Sequence, residues 1–347
     1  MALEADTPLA ARRPGQPINW SVPLLLALAY GAVPLLATPY LIEAMLLPFL
    51  ALSLAGLGLN LLTGYAGQLS LGSAAFMAVG AFAAYNFQLR LGIGLPAAML
   101  LAAVVSGAIG LVFGLPSIRL RGFYLAVSTL AAQFFVQWAL TKFGWFSNYS
   151  ASGVISAPRI EVLGLSFDGM MGRYVFSLTV VVLITFLVHR VTTGPQGINL
   201  IAVRDNETAA KVIGIPVPAT KLATFALSSA IIGVAGVLWA YTYLRTVEPA
   251  GFNLDRSFQI LFIIIIGGLA TIRGAFLGAA LMVIFPLALA RVSAFAFDGA
   301  IDAGAVKLIE RIVMGATIIL FLVAEPNGLS ALLSRVTTRI GIAARRD

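Results

Sequence analysis

Cysteine is absent from this 347-residue chain, and histidine occurs only once. The first absence excludes disulfides and thiolate metal sites, and the second excludes any metal site built on two histidines. Charge is also scarce: Asp, Glu, Lys and Arg make up 10% of the residues, whereas about 25% is usual in soluble domains. Because 60% of the residues are hydrophobic, the composition predicts an integral membrane protein.

Negative charge is the scarcer of the two signs, with 14 acidic residues against 22 Lys and Arg and a net charge of +8. A basic balance can indicate nucleic-acid binding, but cytoplasmic loops of membrane proteins also collect Lys and Arg. The second explanation is favoured in so apolar a chain. We therefore expect membrane lipid, and no nucleic acid, among its partners.

Long apolar runs are what the chain has in abundance. A spanning helix needs about 20 mostly apolar residues, and we assign ten such segments, two of them short. They are residues 20–39, 44–63, 68–88, 94–114, 122–141, 173–190, 221–243, 257–270, 274–291 and 307–324. The pattern predicts an all-α polytopic membrane protein with tails at 1–19 and 325–347 and a membrane domain at 20–324.

The N-terminal segment resembles a signal peptide, since Arg12 and Arg13 precede an apolar stretch. The charge-free run from Trp20 to Ile42 is longer than the 7–15 residues of a cleavable apolar region. A retained first helix is therefore predicted.

Lysine and arginine also indicate orientation, because they are enriched in cytoplasmic loops. With the N-terminus inside, 13 of the 22 positive residues lie on the cytoplasmic side. These are Arg12, Arg13, Arg119, Arg121, Arg190, Arg204, Lys211, Lys221, Arg273, Arg335, Arg339, Arg345 and Arg346. An even number of spans then returns the C-terminus to the cytoplasm.

Two glycine-rich stretches interrupt the apolar runs, one near residues 64–73 and one near 267–274. Irregular backbone at membrane depth is tolerated only within protein or beside water. The stretches are therefore candidate parts of a translocation pathway, although tight helix packing explains the glycines equally well. The candidate pathway residues are Gly64, Gly67, Gln68, Ser70, Ser73, Gly267 and Gly268. If they line water, cysteines at 68, 70 and 73 should react with water-soluble reagents.

Ten spans divide into two sets of five, and an odd repeat gives its copies opposite orientation. An inverted repeat of two five-helix halves is one interpretation of this number. The glycine-rich breaks, at 64–80 and 267–278, do not occupy matching positions in the two halves.

Residues 191–214 form a polar island between apolar runs, and their pattern predicts a short helix. Asp205 or Asn206 can cap its start. Glu207 precedes Lys211 by four residues, a spacing that supports an ion pair of about 0.2–0.5 kcal/mol. Gly214 can end the helix in the left-handed conformation. The pattern leaves open both a solvated loop helix and a helix that docks on a protein outside the membrane.

Several blocks of sequence carry a family resemblance. In the island, Glu-Thr-Ala-Ala at 207–210 and Gly214 are similar to the Glu-Ala-Ala…Gly loop by which ABC importer permeases dock on their ATPase, with Thr208 inserted. The other blocks are 64–76, 119–126, 202–206, 221–236 and 267–278. Over residues 40–328 the chain resembles the LivM type of branched-chain amino acid permease.

The resemblance implies a permease subunit of an ABC importer for branched-chain amino acids in a bacterial inner membrane. It implies four partner proteins of three kinds. It also implies that this chain is not itself an enzyme and holds no cofactor. The partners are a homologous second permease subunit, two cytoplasmic ATPase subunits and a periplasmic substrate-binding protein. The ATPase-coupling loop would span about 191–220, and its candidate residues are Arg204, Asp205, Glu207, Ala209, Ala210, Lys211 and Gly214.

The chain departs from the family pattern at three places. Many relatives have histidine at the position of Ser73, a Thr-Gly-Gly run at 150–153 and arginine at the position of Asn327. The first two leave the substrate open, so urea, short amides and aromatic acids stay as alternatives within the family.

Two other classes of protein are less well supported. The catalytic groups of a membrane enzyme are missing, and the absence of a Gly-Lys-Ser/Thr loop assigns ATP hydrolysis to another chain. An ion-coupled secondary transporter would need a carboxylate deep in the membrane. Glu310 instead lies near the end of a predicted span, beside Lys307 and Arg311.

Overall fold

The structure is a computed structural model that describes the larger part of the chain. The described residues are 21–297, except 121, 151–152 and 163, and parts of 308–335. The predicted N-terminal tail, most of the C-terminal tail and half of the predicted tenth span lie outside them, as does the cluster at 307, 310 and 311. The chain divides into two compact units, Met1–Thr38 and Pro39–Asp347.

The described residues are mostly helical, as the apolar runs predict. Unit one contains α1 (Pro23–Leu36). In the second unit the helices are α2 (Leu41–Tyr65), α3 (Ser73–Leu91), α4 (Leu95–Ile118), α5 (Phe123–Lys142), α6 (Met170–Thr193), α7 (Pro195–Asp205), α8 (Glu207–Val212), α9 (Val217–Leu244), α10 (Leu254–Gly267) and α11 (Ile272–Phe297). Prolines in the first turns of α4, α7 and α9 suit helix starts, because proline has no N–H to leave unpaired there.

Seven helices are long and apolar enough to cross a membrane: α2, α4, α5, α6, α9, α11 and α10 with the turn before it. The number falls short of the predicted ten for three reasons. Helix α1 is short, and α3 carries Asn86, Gln88 and Arg90 toward its end, which lowers its apolar character. The tenth segment is only partly described. The protein is a polytopic α-helical membrane protein, and the seven spans are those of the described residues.

Helices α2 and α9 form the centre of the second unit. Helix α9 packs on α3 and α4, whereas α2 packs on α10 and α11. Glycine allows the closest of these approaches: a methyl group added at Gly236 of α9 would lie 2.0 Å from the Met77 carbonyl oxygen of α3. One at Gly278 of α11 would lie 1.9 Å from the Ile263 carbonyl oxygen of α10. Small residues thus set the helix spacing, as in other membrane bundles.

The two central helices end in the same way. Each finishes in a π-helical turn, Asn60–Tyr65 in α2 and Trp239–Leu244 in α9. Each is followed by non-helical chain: residues 66–72 before α3, and residues 245–248 before the 3-10 turn Pro249–Phe252 that precedes α10. The predicted third span therefore starts five residues late, at Ser73. Residues 245–248 follow α9 as the first break follows α2, whereas the predicted break near 267–278 lies at the junction of α10 and α11.

The starts of α3 and α10 meet inside the bundle. The Ala74 N–H donates to Ser257 Oγ at 2.9 Å. Gln133 of α5 joins both helices, because its Oε1 accepts from the Ala75 N–H at 2.6 Å and from the Ser257 hydroxyl at 3.1 Å. Its Nε2 donates to the Phe252 carbonyl in the turn before α10, at 2.9 Å. Buried helix ends need such partners, since their first N–H groups have none within the helix.

The loop between α5 and α6 contains short strands at one end of the bundle, called here the strand end. Strand β1 (Ile155–Ser156) pairs antiparallel with β4 (Thr246–Val247), and β2 (Glu161–Val162) pairs antiparallel with β3 (Leu165–Ser166). The opposite end, where α7 and α8 lie, is called the island end.

A bidentate ion pair holds the strand end together. Arg245 donates from both terminal nitrogens to the two carboxylate oxygens of Asp168, with Nη2 to Oδ2 at 3.0 Å. These hydrogen bonds hold the pKa of Asp168 below its ordinary value. Arg173 beside it donates to Glu43 at 2.6 Å. Because bidentate arginine–carboxylate pairs fix geometry, the loop before α6 is fastened to the end of α9.

We expect this pair to stabilise the protein only above acidic pH. A depressed pKa in the folded state means that the stabilisation is complete above the unfolded pKa of about 4 and is lost as pH falls through the lower folded value. Both side chains are partly exposed, so screening limits the effect to about 1 kcal/mol. Between pH 7 and pH 3, the midpoint of thermal unfolding of the purified protein should fall further than that of Asp168→Asn. Equal acid sensitivity in the two proteins would contradict the assignment.

Candidate functional site

The polar island folds into two helices, α7 and α8, separated at Asn206. The Asn206 side chain accepts hydrogen bonds from the Thr208 and Ala209 N–H groups, both at 3.0 Å. Of the two predicted caps, the structure therefore uses Asn206. Gly214 has a φ of +88°, which confirms the predicted left-handed end. The Ile215 N–H then donates to the Ala210 carbonyl at 3.0 Å and closes the turn.

The predicted ion pair within α8 is wrong. Glu207 pairs with Lys221 in the second turn of α9 and not with Lys211. The exposed fractions of the two side chains are 15% for Glu207 and 5% for Lys221, so the pair lies inside the protein. The helical spacing of Glu207 and Lys211 permitted an ion pair, but α9 offers a cation on the inner side of α8, where less water competes.

Ala210 also points inward, contrary to its expected place at a partner interface. It is 1% exposed and packs with Val203 and Val217. Glu207 and Ala210 are three residues apart and therefore share the inner face of α8. Val212 and Ile213 lie on the outer side and are 83% and 71% exposed. Ala210 therefore does not contribute to the outward apolar surface of the island.

The island touches the first break directly. Arg204 Nη1 donates to the Gly64 carbonyl at 3.0 Å, and its Nε donates to the Asp205 carboxylate at 2.8 Å. Gly67 has a φ of +67°, and a methyl group there would lie 2.7 Å from Cγ of Arg204. Glycine at 67 therefore serves both the backbone conformation and the close approach of the arginine.

A cavity of about 330 Å³ lies between the island and this break. Its lining residues are Ala66, Gly67, Gln68, Leu120, Gly122, Leu125, Val203, Arg204, Asp205, Asn206, Glu207, Thr208 and Lys221. The structure thus brings two predicted pathway residues, Gly67 and Gln68, beside three predicted coupling residues, Arg204, Asp205 and Glu207. The sequence placed these groups more than a hundred residues apart.

The second break lies against the first. Asn60 Nδ2 donates to the Thr271 carbonyl at 2.8 Å, and its Oδ1 accepts from the Ala270 N–H at 2.9 Å. A methyl group at Gly64 would lie 2.4 Å from the Ala270 nitrogen, so glycine is needed for this approach. Gly268, with a φ of +116°, and Gly267 end α10 at the same place. Asn60 was missed by the sequence analysis; its signal is a lone amide in an apolar run.

The polar side chains of the first break are buried. Gln68, Ser70 and Ser73 are 3%, 1% and 1% exposed. The Gln68 amide donates to the Lys221 carbonyl at 3.3 Å. Its Oε1 and the Ser73 hydroxyl have no hydrogen-bond partner among the described residues. In this conformation bulk water does not reach these three positions, and their place in a pathway stays a prediction.

Comparison with known proteins agrees with the architecture. Residues 41–322 match the family model described as branched-chain amino acid transport system / permease component. This chain belongs to that permease family. Its members are transport components, so the helical bundle is that of a membrane-embedded permease.

Individual relatives give the degree of similarity. The high-affinity branched-chain amino acid transport system permease protein LivM of Salmonella typhimurium is 31% identical over 252 residues, covering 66% of this chain and 59% of the relative. The protein of the same name from Escherichia coli is 29% identical over the same shares. A probable LivM protein of Methanocaldococcus jannaschii is 28% identical over 191 residues, covering 54% of each chain. This permease therefore spans less than two thirds of the length of these relatives. No solved structure matches it.

Proposed function

We propose that this chain is the transmembrane permease subunit of an ATP-driven ABC importer that moves branched-chain amino acids across a bacterial inner membrane. The observation that carries the proposal is the island. Its short helix α8 turns an apolar tip, Val212 and Ile213, away from the protein, while its inner face borders a cavity at the broken helix. Such an arrangement suits a helix that receives force from a soluble partner.

The expected partner at the tip is a cytoplasmic ATPase subunit. Val212 and Ile213 are adjacent, β-branched and exposed, so covering them removes apolar surface from water at little cost in side-chain entropy. Asn206 and Gly214 hold both ends of α8, which keeps the tip rigid. The complete importer would contain two ATPase subunits, a second homologous permease and a periplasmic substrate-binding protein.

The proposed orientation places the island end in the cytoplasm and the strand end outside. Both termini would be cytoplasmic, with the membrane domain at residues 20–324 and the coupling loop at about 191–220. The Lys and Arg count supports this orientation. Substrate would leave along the breaks at Gly64–Ser73 and Gly267–Gly268, where the cavity lies beside the island.

The proposal includes an inverted repeat, in which the second break is the one before α10 and not the one near 267–278. The elements α2, break, α3 would correspond to α9, break, α10. The support is the shared π-helical end, the shared non-helical stretch and the reciprocal packing, in which each central helix packs on the other half. An inverted pair places its two breaks back to back within the membrane, which agrees with the hydrogen bond between Ala74 and Ser257.

Co-purification and transport together test the function. We expect two ATPase subunits and a second permease to co-purify with the tagged chain when the subunits are expressed together. In proteoliposomes that also contain the binding protein, uptake of labelled leucine should require ATP. Unlabelled isoleucine and valine should compete, and urea, short amides and aromatic acids should not. Uptake that needs no ATP and stops when the ion gradient is collapsed would contradict the proposal and support a secondary transporter.

A further inference from the structure

Lys221 is a buried cation at which three separate segments meet. Its side chain is 5% exposed and forms the ion pair with Glu207 of α8. Its Nζ donates to the Ser117 carbonyl at the end of α4, at 3.1 Å. Its carbonyl oxygen accepts from the Gln68 amide in the first break, at 3.3 Å. One residue therefore connects the island, the end of α4 and the broken helix.

A buried ion pair is a poor source of net stability. Desolvation of both charges offsets their attraction, and an apolar pair of similar size is often as stable. The pair does bind its two segments tightly to each other, because separating them would take the carboxylate counter-ion away from the buried Lys221 ammonium. Glu207 is the first residue of α8, so any displacement of that helix pulls on Lys221.

Arg204 supplies a second connection of the same kind. Arg204 lies near the end of α7, just before α8. Its guanidinium donates to the Gly64 carbonyl, and its side chain lies against Gly67. The Arg204 guanidinium thus contacts one end of the segment 64–68, and the backbone carbonyl of Lys221 contacts the other end. No other part of the break needs to contact the island for the two to move together.

We propose that Lys221 is a positioning residue that transmits displacement of α8 to residues 64–68 through its ion pair with Glu207. The inference rests on the proposed function, in which an ATPase moves α8. It assigns the glutamate of the Glu-Thr-Ala-Ala pattern to an internal contact with α9, and it leaves contact with the ATPase to the exposed residues of the helix. The ion pair is then a part of the transport cycle as well as of the fold.

The variants to compare are Glu207→Gln, Lys221→Met and the two combined, each in the complete importer in proteoliposomes. The single variants leave one buried charge, and the double variant leaves none. Glu161→Gln and Lys142→Met are matched controls, because they neutralise the same kinds of charge at the exposed strand end. ATP hydrolysis and leucine uptake are both measured. We expect hydrolysis to continue in the double variant while leucine moved per ATP falls by about 2- to 30-fold, the range for loss of one coupling contact.

A purely structural role gives the opposite result for the double variant. Removing both charges would restore assembly and also uptake per ATP, and that outcome overturns the proposal. Failure of the proposed function is separate: the unaltered importer would then show no ATP-dependent uptake at all.

A second measurement keeps the inference testable if the charge variants fail to assemble. The chain has no cysteine, so Ala66→Cys places one thiol on the cavity wall in an otherwise unaltered protein. Its rate of reaction with a water-soluble maleimide should change when ATP and vanadate are added. Where Glu207→Gln assembles, it should abolish that change, and the two control variants should keep it. A constant rate in the unaltered background, with normal leucine uptake, would overturn the proposal.

Discussion

Aspartate at both Val212 and Ile213 is expected to abolish ATP-dependent uptake while the permease stays folded in the membrane. These side chains are 83% and 71% exposed, so the change disturbs few contacts within the chain. In the proposed complex the tip of α8 is covered by the ATPase, and each aspartate would be desolvated without a partner. A buried unpaired charge costs about 3–5 kcal/mol, which is more than a hundredfold in affinity for each residue.

The matched control replaces the same two residues by threonine, which keeps the branched shape and adds no charge. We expect the threonine variant to assemble with the ATPase and to transport, with a modest loss. Co-purification of the ATPase and leucine uptake are the measurements, and gel filtration in detergent checks that the permease itself is intact. Normal uptake by the aspartate variant would show that this tip is not an interface.

Ala210, another candidate coupling residue, is not a suitable position for such a charge. Ala210 packs with Val203 and Val217, so a glutamate there would disrupt the island itself. Loss of uptake would then follow from local unfolding and would say nothing about a partner.

Valine at Gly236 is expected to prevent stable folding. A methyl group at this position would lie 2.0 Å from the Met77 carbonyl oxygen and 2.5 Å from its carbon, so backbone and not a flexible side chain is in the way. At the same crossing, a methyl group at Gly80 would lie 2.1 Å from the Gly233 carbonyl oxygen. Helices α3 and α9 would have to separate along their contact, at a cost of about 3 kcal/mol or more.

Gly169→Val is the matched control for this substitution. Gly169 precedes α6 with an ordinary φ of −63°, and an added methyl group would meet nothing within 4 Å. This substitution should lower the free energy of unfolding by only about 1 kcal/mol, the range for replacing a residue at a helix start. Yield after membrane extraction and the midpoint of thermal unfolding separate the two variants. A Gly236→Val protein that melts like the unaltered one would contradict the packing of α3 on α9.

The amino-acid sequence was sufficient for the class of protein and for most helices. Apolar runs of about 20 residues have few stable solutions in lipid other than helices, because every backbone N–H and C=O must be paired within the segment. Local sequence was also enough to predict the end of the island helix, because Gly214 needs no distant contact to adopt its positive φ. The resemblance of the island and the blocks around it indicated the family, which the match over residues 41–322 confirms.

The start of α3 shows where local information ended. Residues 68–72 alternate between polar and apolar side chains, as many helix starts do, yet they are not helical. Their conformation depends on the Leu71 N–H bonding to Thr129 Oγ1 at 2.9 Å and on the bonds of Ala74 and Ala75 to Ser257 and Gln133. Those partners lie 58 to 183 residues away in sequence. No short stretch of sequence contains both residues of such a contact.

The direction of each island side chain was decided by tertiary structure in the same way. Sequence alone determined that the chain spans a membrane as helices and that a short capped helix lies outside the apolar runs, because periodicity, capping and glycine act within a few residues. Only the packed structure decided that Glu207 pairs with Lys221, that Ala210 faces inward and that the two breaks lie together. The physical reason is that burial and the pairing of charges depend on which helices are neighbours, whether those helices are adjacent in sequence, as α8 and α9 are, or come from distant parts of the chain, as α2 and α10 do.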